Sequence, residues 1–203
     1  MDPICNAYKA IAQRSGLLPG ENVVIFGTGP LGLFSVQIAK IMGALNIVVV
    51  GLEGDVKVRF GVARQLGATE VVNGSAEDVV QRCQEICGGS DSIGLVVDCA
   101  GANICLKQAI EMVRCNGEIV RVGMGFKPVG FSINDISMKA VSIIGHMAYD
   151  ATSWRNALQL LAAGRIQVKP MITHRLGLSR WEEGFEAMAN KEAIKVILTY
   201  DFD

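Results

Sequence analysis

Charged residues, proline and histidine are all scarce in this chain, and each scarcity excludes something. Only 19% of the 203 residues are charged and 50% are hydrophobic, which excludes a disordered chain and leaves material for one sizeable core. The 19 basic and 20 acidic residues nearly cancel, with no block of like charge, so no nucleic-acid partner held by a broad basic face is expected. Apolar runs are short. Ile47–Val50 and Leu95–Val97 are strand-sized, far from the ~18 uninterrupted residues of a membrane span. Met1-Asp2-Pro3 lacks a basic region followed by an apolar one, so no secretory signal is expected there. Six cysteines (Cys5, Cys83, Cys87, Cys99, Cys105, Cys115) are too few for a disulfide scaffold and read as the reduced thiols of a cytoplasmic protein. At ~150 residues per domain, the length points to one large domain.

Glycine, by contrast, is plentiful: 23 residues against 5 prolines, and the glycines fall between apolar runs. Val23–Phe26 runs into Gly27-Thr28-Gly29-Pro30-Leu31-Gly32, then into a helical pattern over Leu33–Met42, where Leu31, Phe34, Ile38 and Ile41 share a face. Ile47–Val50 ends at Gly51, and a helix is expected over Val56–Leu66. Val71-Val72 marks a third strand. Ser75 is expected to cap a helix reaching Cys87, with Glu77 and Asp78 in its first turn and Gly88-Gly89 ending it. The alternation continues with Leu95–Val97, a helix from Asn103 to Val113, a turn at Asn116-Gly117, and the runs Glu118–Val122 and Val141–Ile144. Helices over Thr152–Ala163 and Ser179–Ala189 and a strand over Lys195–Tyr200 complete the chain. Strands apolar throughout belong in parallel sheets covered on both faces, so the expected class is α/β and doubly wound, with helices on both faces. From about residue 150 onward a helical extension is expected.

Gly27–Gly32 satisfies G-x-G-x-x-G in the context that gives that pattern meaning, after a strand and opening a helix. Gly27 permits the tight turn, Gly29 lets the backbone approach a pyrophosphate, and Gly32 lets helix and strand pack closely. The helix N-terminus adds free N–H groups and a positive dipole end. At the end of the second strand, where an acid would hold the ribose hydroxyls, stands Gly51, with Glu53 two residues on. Lys57 and Arg59 offer charge for the 2′-phosphate of NADP, or simply a solvated helix face. NAD and NADP therefore both stay open.

Several stretches resemble the nucleotide-binding half of the zinc-dependent medium-chain alcohol dehydrogenases, closest to the polyol and threonine dehydrogenase branch. They are Asp2-Pro3 with Asn6-Ala7, Leu17–Glu21, Gly27–Leu33, Val96–Gly101, Gly117–Gly123, Ile172–Arg175 and Lys191–Leu198. The resemblance implies a Rossmann-type six-stranded parallel sheet, hydride transfer between a secondary alcohol and NAD(P), and subunits joined through these domains as a homo-oligomer. It implies that Gly27, Thr28, Gly29, Pro30, Leu31 and Gly32 form the pyrophosphate turn. On the strand-end reading above, Gly51 and Glu53 would lie at the ribose, with Arg59 near its 2′ position. Cys99, Ala100 and Gly101 would line the cofactor, Val122, Gly123 and Met124 the nicotinamide end, and Lys195 the phosphates. Phe131–Ile133 falls where the family pairs strands across its dimer.

The family's catalytic and structural zinc ligands are not found in this sequence. Asp2 aligns with a glutamate near the catalytic zinc, but one carboxylate cannot build a site of three or four ligands, so no metal is expected here. A zinc-binding catalytic domain would be a missing partner, and the chain is expected to be a fragment or a split gene product that binds cofactor without turnover. A non-catalytic dinucleotide-binding sensor or scaffold is the alternative. Cys83 and Cys87 read as packed thiols, and Cys99 and Cys105 have no flanking base. His146 follows Val141–Ile144 toward the nicotinamide end of the cleft and His174 falls at a domain contact of the family, but both read as structural.

Overall fold

The computed structural model describes residues 1–200. Its first helix, α1 (Asp2–Tyr8), widens into a π-helical turn over Lys9–Gln13. Pro3 sits in the first turn, where a missing N–H costs little, and Ile4, Ala7 and Ile11 are buried. Strand and helix then alternate: β1 (Asn22–Phe26), α2 (Pro30–Ile41), β2 (Ile47–Gly51), α3 (Arg59–Leu66), β3 (Glu70–Asn73), α4 (Val79–Cys87), β4 (Ile93–Asp98), α5 (Asn103–Met112), β5 (Glu118–Arg121), the short α6 (Ile133–Ser137) and β6 (Ser142–Gly145). The six strands form one parallel sheet in the order β3-β2-β1-β4-β5-β6. This is the expected doubly wound, Rossmann-type sheet.

The reason its strands are apolar throughout is visible in the packing. Val23 and Ile25 of β1 enter a core shared with α1, α2 and α3, while Val24 and Phe26 enter a second core with α4 and α5. Successive residues point to opposite faces, and helices cover both. In register, Val24 pairs with Val48 on one side and Val96 on the other, and all three are fully buried.

Local departures from the sequence expectations have physical causes. The helix expected from Val56 begins at Arg59, because Glu53–Asp55 forms a separate 3-10 turn. Asp78, not Ser75, caps α4: its carboxylate accepts from Gln81 N at 3.0 Å. Glu77 lies before the helix and accepts from Asn73 N, while Ser75 Oγ accepts from Glu53 N. Phe131 and Ser132 form no strand within the chain, and Ile133 opens α6, whose N-cap is Ser132. The C-terminal part is not purely helical. After α7 (Ala151–Ala162) come β7 (Ile172–Gly177), α8 (Trp181–Ala189) and β8 (Lys195–Thr199), with β7 and β8 paired parallel in a separate two-stranded sheet. α7 is tied to the N-terminal helix through Asn156 Nδ2, which donates to Tyr8 OH at 2.9 Å, and through the Lys9–Asp150 ion pair. No helix among the described residues is long and apolar enough to cross a membrane.

Candidate functional site: a glycine-turn cleft at the strand ends

In the order β3-β2-β1-β4-β5-β6 the chain leaves β1 toward β2 and returns to its other side at β4, which opens a crevice beyond the carboxyl ends of these strands. A cleft of about 450 Å³ lies there, bounded by Gly27–Gly29 after β1, Val50–Leu52 after β2, and Cys99 and Ala100 after β4. That volume falls within the ~300–1,000 Å³ typical of ligand pockets. A larger hollow of about 560 Å³ between α5 and α6 includes none of these strand ends.

The glycines of the turn do different jobs. Gly27 has φ +104°, a left-handed conformation that a side chain would strain, and its N–H donates to Val50 O at 2.9 Å. A Cβ on Gly32 would overlap the Gly27 carbonyl oxygen, so the helix can approach the turn only with glycine there. Gly29 is the N-cap of α2 with ordinary extended backbone, and a Cβ added to it meets nothing within 4 Å. The fold therefore does not need glycine at 29; a ligand drawn up to the backbone would. Pro30 fills the first helical position, and the N–H groups of Leu31 and Gly32 are among those no helix satisfies internally. A dinucleotide phosphate fits this cradle on chemical grounds.

The floor beside β4 is set by Asp98, which the sequence reading left without a role. Its fully buried carboxylate accepts from Ala100 N (3.0 Å) and Gly101 N (2.8 Å), and Arg121 Nη1 donates to its other oxygen at 2.8 Å. Arg121 Nη2 also donates to Gly101 O, and the Asp98 carbonyl accepts from Val122 N and Gly123 N. Burial pushes the Asp98 pKa up, while the Gly101 N–H, the Arg121 guanidinium and the Ala100 N–H pull it back. Gly101 and Gly123 meet backbone to backbone: a Cβ on Gly123 would overlap Gly101 N. The loops after β4 and β5 are thus one unit. Gly101, Val122, Gly123 and Met124 belong to it but do not line the cleft itself, and Met124 is exposed.

Other expected residues are dispersed. Glu53 turns toward β3, where its carboxylate accepts from Asn73 Nδ2 at 2.7 Å, and it does not line the cleft. Arg59 does line it, yet it is buried rather than on a solvated face, and Asp55 and Lys191 join it there. The sequence reading missed both. Lys195, at the start of β8, lines a different groove together with Pro30 and Phe34. His146 is held by Asn6, its Nε2 lying 3.0 Å from Asn6 Oδ1, and it does not line the cleft. Cys99 lies beside Ser35 Oγ at 3.6 Å, and burial pushes its thiol up to about 12. Burial likewise pushes Cys105 up to about 11, so neither supplies a thiolate near neutral pH. Among the described residues no three His, Cys, Asp or Glu groups come together where they could hold a metal ion.

Residues 30–163 match the family model described as zinc-binding dehydrogenase. The chain belongs to that family. It is 73% identical over its whole length to an uncharacterized zinc-type alcohol dehydrogenase-like protein, YdjL, of Escherichia coli K12, covering 56% of that protein. Sorbitol dehydrogenase of Halalkalibacterium halodurans is 31% identical over 98% of this chain and 57% of its own. Among solved structures, a putative zinc-binding dehydrogenase from Sinorhizobium meliloti bound to NADP has a TM-score of 0.83 and 25% identity, over 97% of this chain and 57% of that one. The alcohol dehydrogenase TADH of Thermus sp. ATN1 reaches a TM-score of 0.89 with 30% identity, over 98% of this chain and 58% of that one. The chain spans just over half the length of the curated relatives it matches.

Proposed function

We propose that this chain is the cofactor-binding part of a zinc-type alcohol or polyol dehydrogenase, holding NAD(H) or NADP(H) for hydride transfer to or from a secondary alcohol. The observation that carries the reading is the Gly29 position, where the fold leaves room for a side chain it does not have. The sorbitol dehydrogenase and the NADP-bound structure among its relatives support the substrate class and the cofactor. The nicotinamide, when bound, supplies the hydride carrier. The chain's own residues bind and orient. The N–H groups of Leu31 and Gly32 and the positive end of α2 take the pyrophosphate, with Thr28 and Gly29 against it. Cys99 and Ala100 form the wall on the β4 side, and the loop Val122–Met124, fixed by Asp98, supports the nicotinamide end. Lys195 reaches the phosphates from the side of Pro30.

Among the described residues no cluster of metal-binding groups forms around Asp2, so the donor set for a zinc site does not fit there. We therefore assign the alcohol-activating groups to protein outside the described residues, and this chain alone binds cofactor without turnover. With six free cysteines it suits the cytoplasm. Phe131, Ile133, Met138 and Ile143, exposed around β6 at the open edge of the sheet, suit a second copy of the chain.

The test is NADH fluorescence on titration with the chain. Enhancement that saturates, and that Gly29→Ala abolishes while its far-ultraviolet circular dichroism is unchanged, supports the reading. Equal enhancement by parent and variant, or none by a folded parent, overturns it.

A further inference from the structure

We propose that Asp55, a residue outside the strands, is the acid that selects the cofactor at the ribose, and that it makes the chain prefer NAD(H) to NADP(H). The proposal rests on the cofactor-binding reading above and specifies it.

The end of β2 carries Gly51, yet the space beside Gly51 is filled. A Cβ there would meet the Phe60 ring at 2.5 Å, Thr28 Cγ2 at 2.8 Å and Asp55 Oδ2 at 3.1 Å. An acid at 51 has no room, because a carboxylate from four residues on already stands in that place. The 3-10 turn Glu53–Asp55 brings it back. Asp55 N donates to Leu52 O, and Leu52 N donates to Asp55 Oδ2, each at 2.8 Å. The side chain of Asp55 is 5% exposed.

Its charged surroundings are fully specified. Arg59 Nη1 lies 3.3 Å from Asp55 Oδ1, and Arg59 Nη2 donates to Ala193 O at 2.8 Å. Arg59 Nε is buried and has no hydrogen-bond partner among the described residues. Lys191 Nζ stands 3.8 Å from Asp55 Oδ2. Glu53 is turned to Asn73, and Lys57 is exposed. Asp55, Arg59 and Lys191 all line the cleft together with Gly51 and Leu52.

A ribose hydroxyl suits this set because it both donates and accepts. It can donate to Asp55 Oδ1, which holds only a long contact with Arg59, and accept from the orphaned Arg59 Nε–H, whose lack of a partner is costly while buried. A 2′-phosphate has the wrong balance. It brings about two negative charges toward a buried carboxylate and, as a dianion, has no proton to donate. Charge alone does not decide, because Asp55 and Arg59 offset each other and the Lys191 side chain, 39% exposed, adds an attraction that water and salt screen. Hydrogen bonding decides: where the hydroxyl would donate to Asp55 Oδ1, a 2′-phosphate sets an unprotonated oxygen against that carboxylate oxygen and leaves it without a donor.

The 203-residue chain is titrated calorimetrically with NADH and NADPH, and with the fragments 5′-AMP and 2′,5′-ADP. The expected result is NADH binding at least ~10-fold more tightly, a difference of ~1.4 kcal/mol, with 5′-AMP favoured over 2′,5′-ADP in the same sense. Asp55→Asn is expected to weaken NADH and to bring the ratio within ~3-fold. If that variant does not fold, the parent's ratios with both ligand pairs still decide. Equal or tighter binding of NADPH overturns the proposal and makes Arg59 and Lys191 a 2′-phosphate site, leaving the cofactor reading standing. Binding of neither dinucleotide by a folded chain overturns the cofactor reading, and this proposal with it.

Discussion

Asp98→Ala should cost this chain far more stability than its single lost side chain implies. The carboxylate is fully buried and has three donors, Ala100 N, Gly101 N and Arg121 Nη1. Truncation strands all three, and the Arg121 side chain, 18% exposed, keeps a charge that water reaches poorly. Breaking a buried ion pair by removing one partner costs ~3–5 kcal/mol. Against the ~5–15 kcal/mol of a typical fold, that is a large share. For a chain of this size each kcal/mol moves Tm by ~2–4 °C, so Asp98→Ala should melt ~6–20 °C lower. Asp98→Asn keeps an oxygen for the two backbone N–H groups, which both bond Oδ1, but turns its NH2 donor toward Arg121 Nη1 and so loses that hydrogen bond together with its countercharge. It should lose less, ~1.5–3 kcal/mol, the worth of one hydrogen bond to a charged group. Thermal melts followed by near-ultraviolet circular dichroism, repeated in urea, measure both. If Asp98→Ala melts within 2 °C of the parent, Asp98 does not hold the loops after β4 and β5 together, and the account of the cleft floor is wrong.

Gly32→Ala should destabilise the chain by ~1–3 kcal/mol or more, since its methyl overlaps the Gly27 carbonyl and the start of α2 must move; an unchanged urea midpoint would contradict this. The His146 imidazole is held below its usual pKa by burial and by the charges of Lys9 and Arg14. The unfolded chain therefore takes up that proton first, and stability should fall as pH drops below ~6.5 toward the lowered value. His146→Gln should lose less stability than the parent between pH 7.5 and 5.5; equal losses would refute the assignment. Of the six thiols only Cys115 is exposed, and burial pushes Cys83 up to about 12 and Cys87 to about 11. A thiol-reactive dye should thus label one cysteine quickly in the native chain and the rest only on unfolding.

The central strands β1, β2 and β4 were legible because they are buried on both faces, which forces apolar runs, while β3, β5 and the exposed edge strand β6 were marked by shorter β-branched runs bounded by turn residues. The glycine turn was legible for a similar reason: Gly27 and Gly32 answer to backbone geometry that no other residue meets. β7 was not, since of its six residues only Leu176 is buried and no apolar pattern marks it. The first helix went unread, although Pro3 followed by Ile4, Ala7 and Ile11 carries its signal. At the site, the missing acid after β2 was noticed, but its replacement was not. Asp55 acts through a turn that folds it back under Gly51, and that proximity depends on Phe60 and Thr28 filling the rest of the space. Arg59 looked like surface charge because nothing local shows that Ala193, over a hundred residues on, closes over it.

Amide hydrogen exchange, with and without saturating NADH, tests the central claim most directly because it reports where the ligand sits. The account predicts slowed exchange over residues 27–33 and 50–55, with 172–177 unchanged. Saturable NADH binding that leaves 27–33 unprotected would contradict it, because the cofactor would then lie somewhere other than the glycine turn.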